Sequence, residues 1–293
     1  LPAGTFVEAP FGGRSVLGVV WPGEAEGVDD AKLKSASRVF EAPPLAAAVI
    51  DFVSWVAAYT MFPLGAVLRL VIRSGDALYP PKGAAAFEPT GAAPARLTPE
   101  RRAALAALAE RGQAMTLAEI AAASGAGAGV VSGLVKAGAL RKIEIDPDPP
   151  FAAPDLLREG KALTPEQQRA ADALVAATAR AGVTLLDGVT GAGKTEGYLE
   201  AAAAILKRRP GAQVLILLPE IALTLPFLKR VEARFGAEPA AWHSDLSSAA
   251  RRRVWRRVND GSARLVVGAR SALFLPYRDL QLIVVDEEHD GAY

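Results

Sequence analysis

The chain has 293 residues, 51% of them hydrophobic and 22% charged, with a formal net charge of +1. That length exceeds one typical domain and suffices to bury a core in at least one of them. Near-neutrality excludes an overall basic field, so nucleic-acid contact must come from local patches, and the lack of cysteine excludes disulfides and cysteine-ligated metals within the chain.

Residues 5–9 and 15–21 read as strands around Pro10-Phe11-Gly12-Gly13-Arg14, whose glycine pair predicts a tight hairpin. Helical patterns follow over 45–59 and 64–70, with a break at Phe62-Pro63. Asp51, Pro63 and Arg69 interrupt this apolar stretch, which predicts buried helices rather than a membrane span. No signal peptide opens the chain, and both ends are expected to be cut. Two proline-rich seams, 79–94 and 146–154, read as linkers or loops.

Between the seams, Thr98-Pro99-Glu100 predicts a capped helix start and Thr116 with Glu119 a capping box. A third helix carries Val130, Val131, Leu134 and Val135 and ends at Gly138, before a strand over 140–145. This order looks like a winged helix-turn-helix. A helical spacer of that shape is the alternative, because the third helix offers only Lys136 to a phosphate backbone, where groove readers present Arg, Asn or Gln. Arg141 and Lys142 remain candidates for phosphate contact.

In the last block, apolar runs at 183–187, 214–218, 240–242, 265–267 and 282–285 alternate with helical patterns. They predict a parallel sheet covered on both faces. Gly188-Val189-Thr190-Gly191-Ala192-Gly193-Lys194-Thr195 matches the Walker A pattern in full. Its glycines let backbone N–H groups curl around phosphate oxygens, Lys194 would neutralise β- and γ-phosphate charge, and Thr195 would ligate Mg²⁺. Asp286-Glu287-Glu288-His289 ends a strand, which places Asp286 beside the Mg²⁺ and Glu287 where it polarises the attacking water. His289 would couple nucleotide state to neighbouring loops. Upstream, Gln167 in Thr164-Pro165-Glu166-Gln167 has an amide suited to the two-sided edge of adenine.

A Gln motif, Walker A loop and Asp-Glu-Glu-His box in this order resemble superfamily 2 helicases. Pro219-Glu220-Ile221-Ala222-Leu223-Thr224, His243-Ser244, Gly268-Ala269-Arg270-Ser271-Ala272-Leu273-Phe274 and Asp290 after the acidic box look like the PriA family of primosomal replication-restart helicases. Pro10-Phe11-Gly12 and the Tyr59 to Gly65 segment resemble that family's 3′-DNA-binding domain. The resemblance implies ATP-driven 3′-to-5′ unwinding at stalled forks and loading of the replicative helicase. It carries Gly12 and Lys34 over to a 3′-end pocket, from which the family's Phe-Asp pair is missing here. By the same resemblance, Arg270, Ser271, Glu220 and Thr224 would meet single-stranded DNA. Thr224-Leu225-Pro226 departs from the family's usual Thr-Pro-Gln. The run Arg251-Arg252-Arg253…Arg256-Arg257 wraps more than one helix face, which predicts a solvated surface rather than a phosphate patch.

The expected fold class is thus α/β and multidomain: a small β-rich 3′-DNA-binding domain over 1–93, a winged helix over 94–150, and one RecA-like P-loop NTPase lobe over 151–293. Expected cofactors are ATP and Mg²⁺, bound by Gln167, Gly188, Thr190, Gly191, Ala192, Gly193, Lys194, Thr195 and Asp286. Zinc and a second helicase lobe are expected only in a C-terminal part beyond this sequence, so this stretch alone would hydrolyse ATP poorly. The resemblance implies forked and single-stranded DNA, primosome proteins, single-strand-binding protein and the helicase loader as partners, in a bacterial cytoplasm. Two other readings are a fork-end-binding module with secondary ATPase activity and a superfamily 2 motor acting on other nucleic acids.

Overall fold

The computed structural model describes residues 1–23, 29, 33–79, 83–189, 191–219 and 224–291. They divide into two compact units, one comprising Leu1–Tyr79 with Pro150–Tyr293 and the other Pro80–Pro149.

In the first unit, β1 (Phe6–Phe11) and β2 (Arg14–Val19) form the expected antiparallel hairpin, and β1 also pairs with a short β3 (Arg38–Val39). Gly12 and Gly13 turn the hairpin with φ of 55° and 81°, the left-handed conformation that a two-residue type I′ loop requires. Two helices follow, α1 (Ala47–Thr60) and α2 (Leu64–Val71), parted at Phe62-Pro63. Met61 ends α1 in the left-handed region, and the proline that follows cannot continue it.

The later part of this unit is an α/β lobe. Helices α6 (Pro165–Ala177), α7 (Lys194–Arg208), α8 (Leu225–Phe235) and α9 (Ser248–Asn259) surround β7 (Gln213–Leu217), β8 (Ala240–Trp242), β9 (Leu265–Gly268) and β10 (Leu280–Val285). The strands form a four-stranded parallel sheet in the order β10-β7-β9-β8, an arrangement that fits a RecA-like lobe. Central β7 is buried at every residue, as a strand covered on both faces must be. Buried Gln213 opens it with a fully used amide. Its Nε2 donates to the carbonyls of Val258 and Ala263, and its Oε1 accepts from the backbone of Arg278 and Asp279.

Two expectations fail in this unit. Residues 183–187 form no strand: they make no ladder bonds, and Val183 and Leu185 lie exposed. Their apolar composition suits a strand, but a strand exists only by pairing, and here β10 ends the sheet with Ile283 and Val285 half exposed. Nor is the arginine run a solvated face. Helix α9 lies across the N-terminal segment, with Trp255 almost fully buried in a T-shaped contact with Phe6 and its Nε1 donating to the Val71 carbonyl at 2.7 Å. Arg256 donates to the carbonyls of Ala77 and Tyr79, and Arg253 sits 4.2 Å over the Phe151 ring. One hydrophobic cluster therefore includes Phe6, Phe40, Val53 and Val67 together with Leu215, Trp242, Trp255 and Val266.

The second unit packs α3 (Pro99–Arg111), α4 (Leu117–Ser124) and α5 (Ala128–Lys136) against an antiparallel sheet in the order β5-β4-β6. Its strands are β4 (Ala84–Pro89), β5 (Met115–Thr116) and β6 (Leu140–Ile145). Thr98 and Thr116 cap their helices as expected, Thr116 in a full capping box with Glu119. The stretch read as the first proline-rich seam holds strand β4. Alanine-rich sequence is a weak strand former alone, and here the β6 ladder recruits it, with Glu88 opposite Arg141 and hydrogen-bonded to it. Arg141 is thus engaged within the unit. Among the described residues no single helix is long and apolar enough to cross a membrane; the pair α4 and α5 passes by composition only, bends by 111°, and packs into this unit's own core.

Candidate nucleotide site and nucleic-acid cleft

The phosphate loop sits between an extended segment and the N-terminus of α7. Gly191 and Gly193 hold φ of 82° and 84°, a conformation closed to side-chain-bearing residues without strain. Lys194 opens α7 and its Nζ donates to the Gly188 carbonyl at 2.8 Å, which closes the loop on itself. Thr190 lies outside the described residues.

Gln167 reaches this loop by a route that sequence reading did not anticipate. Its Oε1 accepts from the Thr164 backbone N–H at 3.0 Å in a capping box, and its Nε2 donates to the Ala192 carbonyl at 2.8 Å. One donor and one acceptor position of the amide remain for a nucleotide. The contact is tight, since a Cβ on Gly193 would stand 2.4 Å from Gln167 Nε2.

Asp286 leaves β10 with its backbone N–H still bonded to the Leu217 carbonyl, so the sheet fixes its position. The Tyr198 hydroxyl donates to Asp286 Oδ2 at 2.8 Å. Tyr198 is buried on α7 one turn beyond Lys194. Burial, and then the Asp286 charge, push its hydroxyl well above the ordinary value, so it stays protonated and donates. The sequence carried a signal for this residue, because positions 194 and 198 share a helix face. Glu287 follows with φ of 52°, and its Oε2 lies 3.4 Å from His289 Nε2.

The donor set suits Mg²⁺ and a polyphosphate. Thr195 and Asp286 carry hard oxygens that could hold such an ion, the loop glycines allow N–H groups to face an anion, and the α7 N-terminus favours negative charge. A second layer braces α7. Glu196 pairs with Arg230 of α8 and lies 3.7 Å from Lys161, while Glu200 accepts from both Nε and a terminal nitrogen of Arg234. Burial opposes ionisation of Glu196, yet the Arg230 hydrogen bond and its own backbone hold the carboxyl below the usual range, with the Arg230 and Lys161 charges adding to the effect.

The proposed DNA contacts are distributed more widely. Arg270 is exposed at the start of a 3₁₀ turn after β9, and the Ser271 hydroxyl accepts from Trp242 Nε1 at 3.1 Å. Both line a cleft of about 400 Å³ with His243 and Ser244. Thr224 is the exposed N-cap of α8 and makes no side-chain cap bond. Glu220 lies outside the described residues. Gly12 and Lys34 are exposed, Gly12 at the open tip of the hairpin.

Comparison with known proteins matches residues 164–292 to the DEAD/DEAH box helicases and residues 1–73 to the 3′DNA-binding domain (3′BD) of the PriA family. The chain is similar to the replication restart protein PriA of Chlamydia pneumoniae, 46% identical over 135 residues, which are 45% of this chain and 18% of that protein. It is likewise similar to PriA of Treponema pallidum, 48% identical over 132 residues, covering 45% and 20%. With PriA of Haemophilus influenzae it shares 49% identity over 111 residues, covering 38% and 15%. The matched stretch thus spans at most a fifth of the length of these relatives. The likeness to PriA read from the motifs holds at both ends of the chain.

Proposed function

We propose that this chain carries the ATP-binding lobe and the fork-recognition segment of an ATP-dependent 3′-to-5′ DNA helicase. That enzyme recognises stalled or abandoned replication forks and restarts replication through primosome assembly and loading of the replicative helicase. The observation that carries the reading is the meeting of the phosphate loop on α7 with Asp286 on β10 through Tyr198, in a chain whose first 73 residues match a 3′DNA-binding domain.

In this reading Mg²⁺ supplies charge neutralisation for phosphoryl transfer. Thr195 and Asp286 would hold it, and Lys194, now on the Gly188 carbonyl, would meet phosphate oxygens. Glu287 orients and deprotonates water, and the free valences of Gln167 meet the base. Arg270, Ser271 and Thr224, with Glu220, contact single-stranded DNA, and Gly12 and Lys34 serve the 3′ end. Residues 94–150 act as a winged helix in this reading. Partners would be forked DNA, primosome proteins, single-strand-binding protein and a helicase loader, in the bacterial cytoplasm.

The test is ATP hydrolysis by the full-length protein on single strands, duplexes, and forks ending in 3′-hydroxyl or 3′-phosphate, with Lys194→Ala as control. Selective stimulation by the hydroxyl-ended fork, abolished by the control, is the expected result. Equal stimulation by every DNA, or by RNA alone, would remove the restart assignment.

A further inference from the structure

The cleft beside Arg270 contains two more cations that neither the motifs nor the family matches single out. Arg73 comes from the end of α2 in the N-terminal segment, and Arg251 from the start of α9. With Arg270 they place three guanidinium groups around one opening, next to His243. Among the described lining residues there is no carboxylate; Asp245 lies beside the cleft, where its Oδ1 accepts from the Ser244 hydroxyl at 3.3 Å. Like charges gathered this way repel one another unless an anion lies between them.

Arg251 supplies an independent sign of what is missing. Its terminal nitrogen donates to the Ser244 carbonyl, but its Nε–H is buried with no hydrogen-bond partner among the described residues. Buried donors are almost always satisfied, and an exception marks a place where a water or an anion can serve as acceptor. The setting also suits a ligand. Pro219, His243 and Arg270 follow the C-terminal ends of β7, β8 and β9, the edge at which open α/β sheets bind. The opening is larger than a single phosphate ion needs and falls within the roughly 300–1,000 Å³ of ordinary ligand clefts.

We propose that the backbone of single-stranded DNA runs through this cleft, with Arg73 and Arg251 joining Arg270 on its phosphates. The N-terminal segment then forms one wall of the strand track in addition to binding fork ends. This rests on the nucleic-acid reading above. Arginine suits the task because its planar fork of donors meets two phosphate oxygens at once.

The test uses the full-length protein and a fluorescein-labelled oligothymidylate, with affinity read by anisotropy across a salt series. Each phosphate contact removed lowers the slope of log K against log salt by about 0.7 for single strands. Arg73→Gln and Arg251→Gln should each show that loss. An oligonucleotide with uncharged methylphosphonate linkages should bind wild type and variants alike. If wild type itself does not bind, both the cleft and the nucleic-acid reading fall. If wild type binds with a steep slope and both variants keep it, the cleft alone falls. It falls equally if the variants weaken charged and uncharged backbones by the same factor. Arg251 also holds the Ser244 carbonyl and its loss could unfold the turn, so exposed Arg73 decides the matter in that event.

Discussion

Replacing Trp255 by phenylalanine tests whether the N-terminal segment and the lobe fold as one body. The indole is 1% exposed, packs edge-on against Phe6 with ring centroids 5.5 Å apart, and donates to the Val71 carbonyl at 2.7 Å. Phenylalanine keeps an aromatic ring but removes the donor. That leaves a carbonyl on a buried residue without its partner, at a cost of about 1–3 kcal/mol. The smaller ring leaves a void worth roughly another 1 kcal/mol. The sum, about 2–4 kcal/mol, is a large share of the roughly 5–15 kcal/mol that holds a typical domain together. Urea unfolding would be followed by circular dichroism and by protease cleavage mapped separately to residues 1–79 and to the lobe. Because both parts share one core, both signals should move to lower urea together and by the same free energy. A lobe transition that shifts while the N-terminal transition stays in place would refute the single-core reasoning.

Tyr198→Phe keeps the buried ring and removes the hydroxyl from Asp286, and should weaken Mg²⁺ affinity or turnover by about tenfold to a hundredfold with little change in melting temperature. A Mg²⁺ titration of nucleotide hydrolysis reads this, and an unchanged midpoint and rate would reject it. Gly193→Ala combines a φ of 84° with a Cβ 2.4 Å from Gln167 Nε2, so it should break the Gln167–Ala192 contact and abolish nucleotide binding measured by calorimetry. Glu196→Gln addresses pH. The Arg230 hydrogen bond holds the carboxyl below the ordinary carboxylate range against the opposing effect of burial, so the stabilisation is present above the ordinary range and is lost as pH falls through the lower folded value. The gap between wild type and variant should be about 1 kcal/mol near neutrality and shrink in acid; a gap that widens in acid would reverse the assignment.

How much the sequence disclosed depended on how local each determinant was. The Walker loop, the glycine hairpin and the caps at Thr98 and Thr116 are short-range devices, and each appears where its residues stand. Pairing is not local. Val183, Leu185 and Leu186 have the composition of a strand and no ladder, whereas Ala84, Ala85 and Ala86 lack it and form one because β6 lies alongside. Burial misleads in the same way. Five arginines within seven residues look solvated, yet Val254, Trp255 and Val258 beside them supply a buried face, and the Arg256 guanidinium bridges to the carbonyls of Ala77 and Tyr79. In the candidate site, Lys194, Thr195 and Asp286 were legible from spacing. For Tyr198 the sequence offered only its helix-face spacing from Lys194; its role follows once the fold brings Asp286 within 2.8 Å of its hydroxyl.

The backbone route between Asp286 and Arg270 is short. The Asp286 N–H binds the carbonyl of Leu217, the next residue Leu218 donates its N–H to the Gly268 carbonyl, and Arg270 stands two residues beyond. Gly268 itself is hemmed in on its β8 side, since a Cβ there would stand 2.7 Å from the Ala272 Cβ and 2.8 Å from the Trp242 carbonyl oxygen. Continuity of hydrogen bonds is not coupling, which requires an element with two arrangements that both sites bias. The buried β7 is a poor candidate for that element, being packed on both faces. The turns that leave the sheet are better ones: the segment from Gly268 through Ser271, and Asp286 with Glu287, whose φ of 52° is already a strained conformation for a side-chain-bearing residue. The turns at the strand ends, rather than β7, are therefore where a second arrangement of this lobe would have to be sought.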